Sequence, residues 1–139
     1  MQPVHCRVKH DPPNSYGDCL RACIATVLGK RPEDVPHFAD GGATGDEAMW
    51  WLRGWAKTYG LAPFITAYPG DVSLDDLMDM QASINPDSVY VLFGGTASGG
   101  DHCVVCQGGE VVHNPAWYHS SLIGPLSNGT WQILVMGRL

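Results

Sequence analysis

The hydrophobic pattern of this chain changes period near Pro86, and no other feature constrains the fold as strongly. Before that point the apolar residues recur with a helical period. Leu20, Cys23, Ile24, Val27 and Leu28 fall at i, i+3, i+4, i+7 and i+8, a single stripe on one helix. Gly29 supplies a C-terminal stop, and the stretch around Pro32 and Pro36 reads as a turn. A second helix is expected from Thr44, where Thr44 and Glu47 make a capping-box pattern, ending by Gly60. Its tryptophans, Trp50, Trp51 and Trp55, read as core, with one able to line a cleft. A short third helix follows a Ser73–Asp76 box and carries Leu74, Leu77 and Met78. After Pro86 the segments SVYVLFGG, HCVVCQ, GEVVHNP and WQILVMG are short, rich in valine and separated by Gly, Pro and Asn, which predicts antiparallel strands. A further strand is expected near Phe64–Tyr68. Helices first and strands second predict an α+β domain with a helical lobe, a β lobe and a cleft between them.

The 139 residues fit one domain spanning 1–139, without internal repeats or a linker. No apolar run reaches membrane-spanning length, and the start MQPVHCRVKH lacks the apolar core of a signal peptide, so the expected location is the cytoplasm, with no membrane partner. Cysteines 6, 19, 23, 103 and 106 are an odd-numbered set and are expected as free thiols. Charge is uneven: seven cations and seven anions cancel over residues 1–57, whereas residues 58–139 carry seven acids and Arg138 alone as a base. Phosphate backbones need clustered cations, so a nucleic-acid partner is not expected; the acidic half suits a neutral or cationic peptide or protein substrate.

The chemistry centres on NSYGDCLRACIATVLGK, residues 14–30. Asp18 is placed to cap the helix, which puts Cys19 in its first turn, where unpaired N–H groups and the positive end of the helix dipole favour a thiolate. A thiolate nucleophile needs a histidine to move its proton and a third group to orient that histidine. The segment GGDHCVVCQGGEVVHNP offers both, with His102 starting one strand and Asn114 ending the next of a hairpin. Adjacent antiparallel strands can make the two neighbours. His113 would point away from Asn114 and is a poor substitute.

Each residue also has a plainer reading. Cys19 alone would be a core cysteine, His102 a surface histidine and Asn114 a turn residue before Pro115. Their joint occurrence in order favours chemistry, while Cys23, on the apolar stripe, belongs to the core. A zinc site built from Cys19, Cys23, Cys103 and Cys106 is not expected, because residues three apart on a strand face opposite ways. No metal or other cofactor is therefore predicted. GGTASGGDH lacks the Lys-Ser/Thr of a phosphate loop and reads as a loop leading to His102. Trp117 and Tyr118 are placed to shield the His–Asn pair from water.

The order Cys, His, Asn, with the cysteine opening a helix and the histidine on a β lobe, resembles the papain-like cysteine peptidases. GDCLRAC and DHCVV…HNP resemble more closely the C39-like branch, short examples of which occur in phage and bacterial genomes. The matching segments are about Pro13–Gly29 and Asp101–Pro115. The resemblance implies a two-lobed papain-like fold and a thiol hydrolase cutting an amide, isopeptide or thioester bond, with acyl transfer to an amine as a variant. It implies Cys19 as nucleophile, His102 as base and Asn114 as orienting group. That family uses a glutamine six residues before the nucleophile to help bind the oxyanion. Pro13 stands there, so Asn14 is expected to donate beside the Cys19 backbone N–H. Leu20 replaces the usual glycine. A catalytically weak binding module for peptide or protein is the alternative reading.

Overall fold

A computed structural model describes residues 1–116 and 121–139. Trp117 and Tyr118, and with them the expected water shield, lie outside the described residues. The described chain is a mixed α+β fold with three α-helices and a six-stranded antiparallel sheet.

Helix α1, Cys19–Leu28, ends at Gly29, whose left-handed backbone (φ 66°) directs its N–H and the next one back to the last turn. Its predicted stripe faces the core: Leu20, Cys23 and Ile24 are buried, and Val27 and Leu28 pack against them. Two short 3₁₀ turns, Pro32–Asp34 and Asp40–Gly42, lead to helix α2, Gly45–Lys57. Both halves of its capping box form: Thr44 Oγ1 accepts from Glu47 N, and Glu47 Oε1 accepts from Thr44 N. The buried stripe of α2 is narrow, consisting of Ala48, Leu52 and Ala56. Trp50 and Trp51 therefore do not form its core face, whereas half-buried Trp55 packs against the core as expected. Trp50 is 71 % exposed and Trp51 47 %, although Trp51 and Trp55 meet buried Phe38 edge to face.

Strand β1, Leu61–Pro69, is followed by helix α3, Leu74–Ile84, whose first turn is held by Ser73 accepting from Asp76 N. The remaining strands are β2 (Val89–Thr96), β3 (Asp101–Gln107), β4 (Glu110–His113), β5 (Leu122–Gly124) and β6 (Thr130–Arg138). The sheet order is β1-β6-β2-β3-β4, with β5 paired to β2.

The sheet is covered on both faces. Val91, Cys103, Val105 and Leu134 pack with α1, Phe38 and Leu52, whereas Leu92, Val104, Cys106, Trp131 and Ile133 pack with Leu77 and Met78 of α3. The successive residues Cys103, Val104 and Val105 alternate between these two cores, the period-two signature of a strand buried on both sides. No helix of the described residues is long and apolar enough to cross a membrane.

A strap at residues 4–8 ties α1 to the turn after β4. Val4 N donates to Thr26 Oγ1, Val4 O faces His113 Nε2 at 2.6 Å, and Cys6 N donates to Pro115 O. Asp18 anchors the strap. Its carboxylate is 1 % exposed and accepts from the N–H groups of Arg7 and Val8 and from the Arg21 guanidinium at 2.7 Å. The side chain makes no capping bond to α1, so the expected N-cap role is replaced by a buried clamp. The N–H groups at the start of α1 remain available to other acceptors.

Candidate active site

Cys19 occupies the first position of α1, half-buried, and hydrogen-bonds with the imidazole of His102, the second residue of β3. His102 is itself buried, with Nε2 2.9 Å from Asn114 Oδ1. Asn114 follows immediately after β4, and its Oδ1 also accepts from Ala116 N at 3.1 Å. Two donors converging on one atom fix which end of the amide is oxygen. Asn114 Oδ1 can only accept, so His102 carries its proton on Nε2, and in the neutral ring Nδ1 keeps the lone pair. Sequence-predicted Cys19, His102 and Asn114 thus meet in one place, with the tautomer that lets the imidazole take a thiol proton.

His113 goes elsewhere: buried, it bonds the strap at Val4 and stacks edge to face on His5. Asn14 does not join the cluster. It is exposed in the turn closed by the Asp11–Ser15 bridge, its amide 3.4 Å from the Asp11 carboxylate, and it is absent from the cleft lining.

The cleft over Cys19 is small, about 180 Å³, and is lined by His10, Tyr16, Gly17, Cys19, Ala39, Ala43, Asp101 and His102. Asp101 is the one carboxylate in that lining, held by Ser127 through the backbone N–H at 2.8 Å and the hydroxyl at 2.7 Å. A wider groove of about 330 Å³ between α2 and β1 exposes Trp50 but has no cysteine or histidine in its lining.

A second thiol that sequence reasoning did not bring to the site touches the nucleophile. Cys103 hydrogen-bonds with Cys19 and with Cys23, and Cys23 Sγ donates to the Cys103 carbonyl at 3.6 Å. The hydrogen bond with Cys103 favours the protonated form of Cys19. This bond first, and burial second, push the Cys19 thiol well above its ordinary value, while His102 pulls it down. The resting thiolate expected from the helix start is therefore opposed by the surroundings of the sulfur. Burial lowers the affinity of His102 for a proton, but its bonds to Cys19 and Asn114 reverse this, and the ring lies above its ordinary value. The other thiols are less acidic than usual: burial pushes Cys6 and Cys106 up to about 12. Cys103 and Cys106 belong to the two opposite cores, so the four-cysteine zinc arrangement does not assemble from them.

No protein-family model, curated protein or solved structure matches this chain.

Proposed function

We propose that this chain is a thiol hydrolase of the papain-like type, nearest the C39-like branch, cleaving an amide, isopeptide or thioester bond of a neutral or cationic peptide or protein in the cytoplasm. The observation that carries the reading is His102 bridging Cys19 and Asn114, with Nε2 2.9 Å from an amide oxygen whose identity is fixed by a second donor.

In this mechanism the Cys19 thiol passes its proton to His102 Nδ1 as the sulfur attacks the carbonyl carbon. The carbonyl oxygen becomes an oxyanion beside the Cys19 backbone N–H at the start of α1. Imidazolium formation is supported by Nε2–H donating to Asn114. Collapse of the intermediate breaks the carbon–nitrogen or carbon–sulfur bond, and His102 returns the proton to the leaving group. Water, deprotonated by His102, then cleaves the acyl thioester and restores the thiol. An amine in place of that water gives acyl transfer with the same parts. The raised thiol makes proton transfer concerted with attack rather than complete beforehand.

The same raised thiol favours a second reading, a papain-like fold retained as a peptide- or protein-binding module. Iodoacetamide labelling of the folded protein discriminates between the two. The hydrolase reading predicts that Cys19 is modified well ahead of Cys6, Cys23, Cys103 and Cys106, and that His102→Ala slows it. Labelling of Cys19 no faster than the buried cysteines, and indifferent to His102, defeats it.

A further inference from the structure

An acyl-transfer site needs donors aimed at the oxygen that becomes charged, and one helix-start N–H is a thin provision for it. Asn14, the sequence candidate for a second donor, points its amide at Asp11. Among the groups lining the cleft, His10 stands out because its ring is held in one tautomer by the backbone. Gly17 N donates to His10 Nδ1 at 3.1 Å, so Nδ1 is an acceptor and the proton of the neutral ring sits on Nε2. The approach is tight: a Cβ added at position 17 would lie 3.0 Å from His10 Cβ. Tyr16 adds an edge contact, with ring centroids 6.2 Å apart. Gly17 is two residues from Cys19, so the bond that fixes the His10 ring also fixes it relative to the nucleophile. Both imidazoles of the cleft thus have their tautomer set by a neighbour, and they are set for opposite tasks. His102 offers a lone pair at Nδ1 and His10 an N–H at Nε2.

We propose that His10 is a catalytic residue, its Nε2–H serving with the Cys19 backbone N–H as the oxyanion-binding donor of this site. This rests on the hydrolase reading. His10 donates a hydrogen bond to the developing oxyanion and gives up no proton; the proton transfers stay with Cys19 and His102. The role suits a small acyl group, since donor and nucleophile line the same cleft of about 180 Å³.

The test compares two reactions of Cys19 in the full chain, each followed by mass spectrometry of the Cys19 peptide. Acylation by p-nitrophenyl acetate passes through a tetrahedral oxyanion, whereas alkylation by iodoacetamide is displacement at a saturated carbon and forms none. Asparagine can place an acceptor where Nδ1 was, keeping the Gly17 bond while losing the Nε2 donor. Glutamine can place an N–H where Nε2 was and loses the Gly17 bond. His10→Asn is expected to lower the acylation rate by about 10²-fold, the usual cost of an oxyanion donor, and His10→Gln to recover much of it. Both variants should alkylate at the wild-type rate, which also reports that the site is folded. Wild-type acylation in His10→Asn, or an equal loss of both reactions in His10→Asn, overturns the His10 assignment and leaves the hydrolase reading intact. Wild-type Cys19 inert to both reagents overturns the hydrolase reading and the His10 assignment with it.

Discussion

Replacing Cys103 by alanine should make Cys19 more reactive, although Cys103 is neither exposed nor part of the proton-transfer pair. Cys103 is 1 % exposed, and its bond to Cys19 is the largest influence holding the proton on that sulfur. A hydrogen bond contributes about 1 kcal/mol net, which changes an ionisation equilibrium about five-fold. A more acidic thiol is also a weaker nucleophile, and the usual dependence takes back about half of that gain on a logarithmic scale. At a neutral pH, below the titration of the thiol, the net expectation is alkylation about two-fold faster than wild type. Removing one buried sulfur should cost about 1 kcal/mol of stability, small enough to leave the domain folded. Cys103→Ser keeps an acceptor of similar shape and should stay closer to wild type. The assay is the pseudo-first-order rate of Cys19 modification by iodoacetamide across a pH series, with thermal unfolding as the control for integrity. An unchanged or slower rate in a folded Cys103→Ala protein refutes the idea that Cys103 restrains the nucleophile.

His102→Ala should slow Cys19 alkylation, and Asn114→Ala should slow it less, because Asn114 orients the ring without carrying charge; rate–pH profiles of both variants check this ranking. His113→Ala should leave the alkylation profile alone yet lower stability by about 1–3 kcal/mol in urea titrations, since it unpairs the buried strap at Val4. Asp18→Ala should cost roughly 3–5 kcal/mol, because it leaves the Arg21 guanidinium and two strap N–H groups without their acceptor. Calorimetry showing a loss within error of zero would remove the clamp from the account. The raised thiols also predict alkaline destabilisation. Cys6 and Cys106 hold their protons up to about 12 when folded but release them near their ordinary value of 9.0 when unfolded. Their stabilisation is complete below the unfolded value and is lost as pH rises toward the folded one, each at up to about 1.4 kcal/mol per pH unit. Urea melts under reducing conditions on either side of the unfolded value check the sign, and Cys106→Ala should flatten the slope.

Local signals in the sequence were reliable where local physics decides. The α1 stripe, the αL stop at Gly29 and the Thr44–Glu47 box each depend on residues within one or two turns, and each forms as expected. The strand segments after Pro86 were legible because their alternation and valine content leave few other uses. β1 runs over Leu61–Pro69, longer than the expected Phe64–Tyr68, because as an edge strand with exposed residues on both faces it shows no alternation and tolerates Pro63 and Pro69. The exposure of Trp50 was hidden because α2 buries the narrow stripe Ala48, Leu52 and Ala56, two of whose members are alanines that offer far less apolar area than a tryptophan.

Within the candidate site, Cys19, His102 and Asn114 could be named from type, order and element boundaries. The groups that tune them could not. Asp18 looks like an N-cap in sequence, yet its partners Arg7 and Val8 come from a strap whose path no local pattern encodes. Cys103 follows His102 on a strand, where alternation would send the two apart, but both reach the Cys19 thiol. His10 lies nine residues before the nucleophile and reaches the cleft through a turn that also turns Asn14 away.

The account stands on Cys19 forming a covalent acyl intermediate whose formation needs His102. The most direct measurement is rapid-quench mass spectrometry of the Cys19 peptide during reaction with p-nitrophenyl acetate, in wild type and in His102→Ala. The account predicts an acetyl thioester on Cys19 that forms and then decays by hydrolysis in wild type, and that forms about 10²-fold or more slowly in His102→Ala. No adduct on Cys19, or adduct forming at the same rate with and without His102, would contradict it.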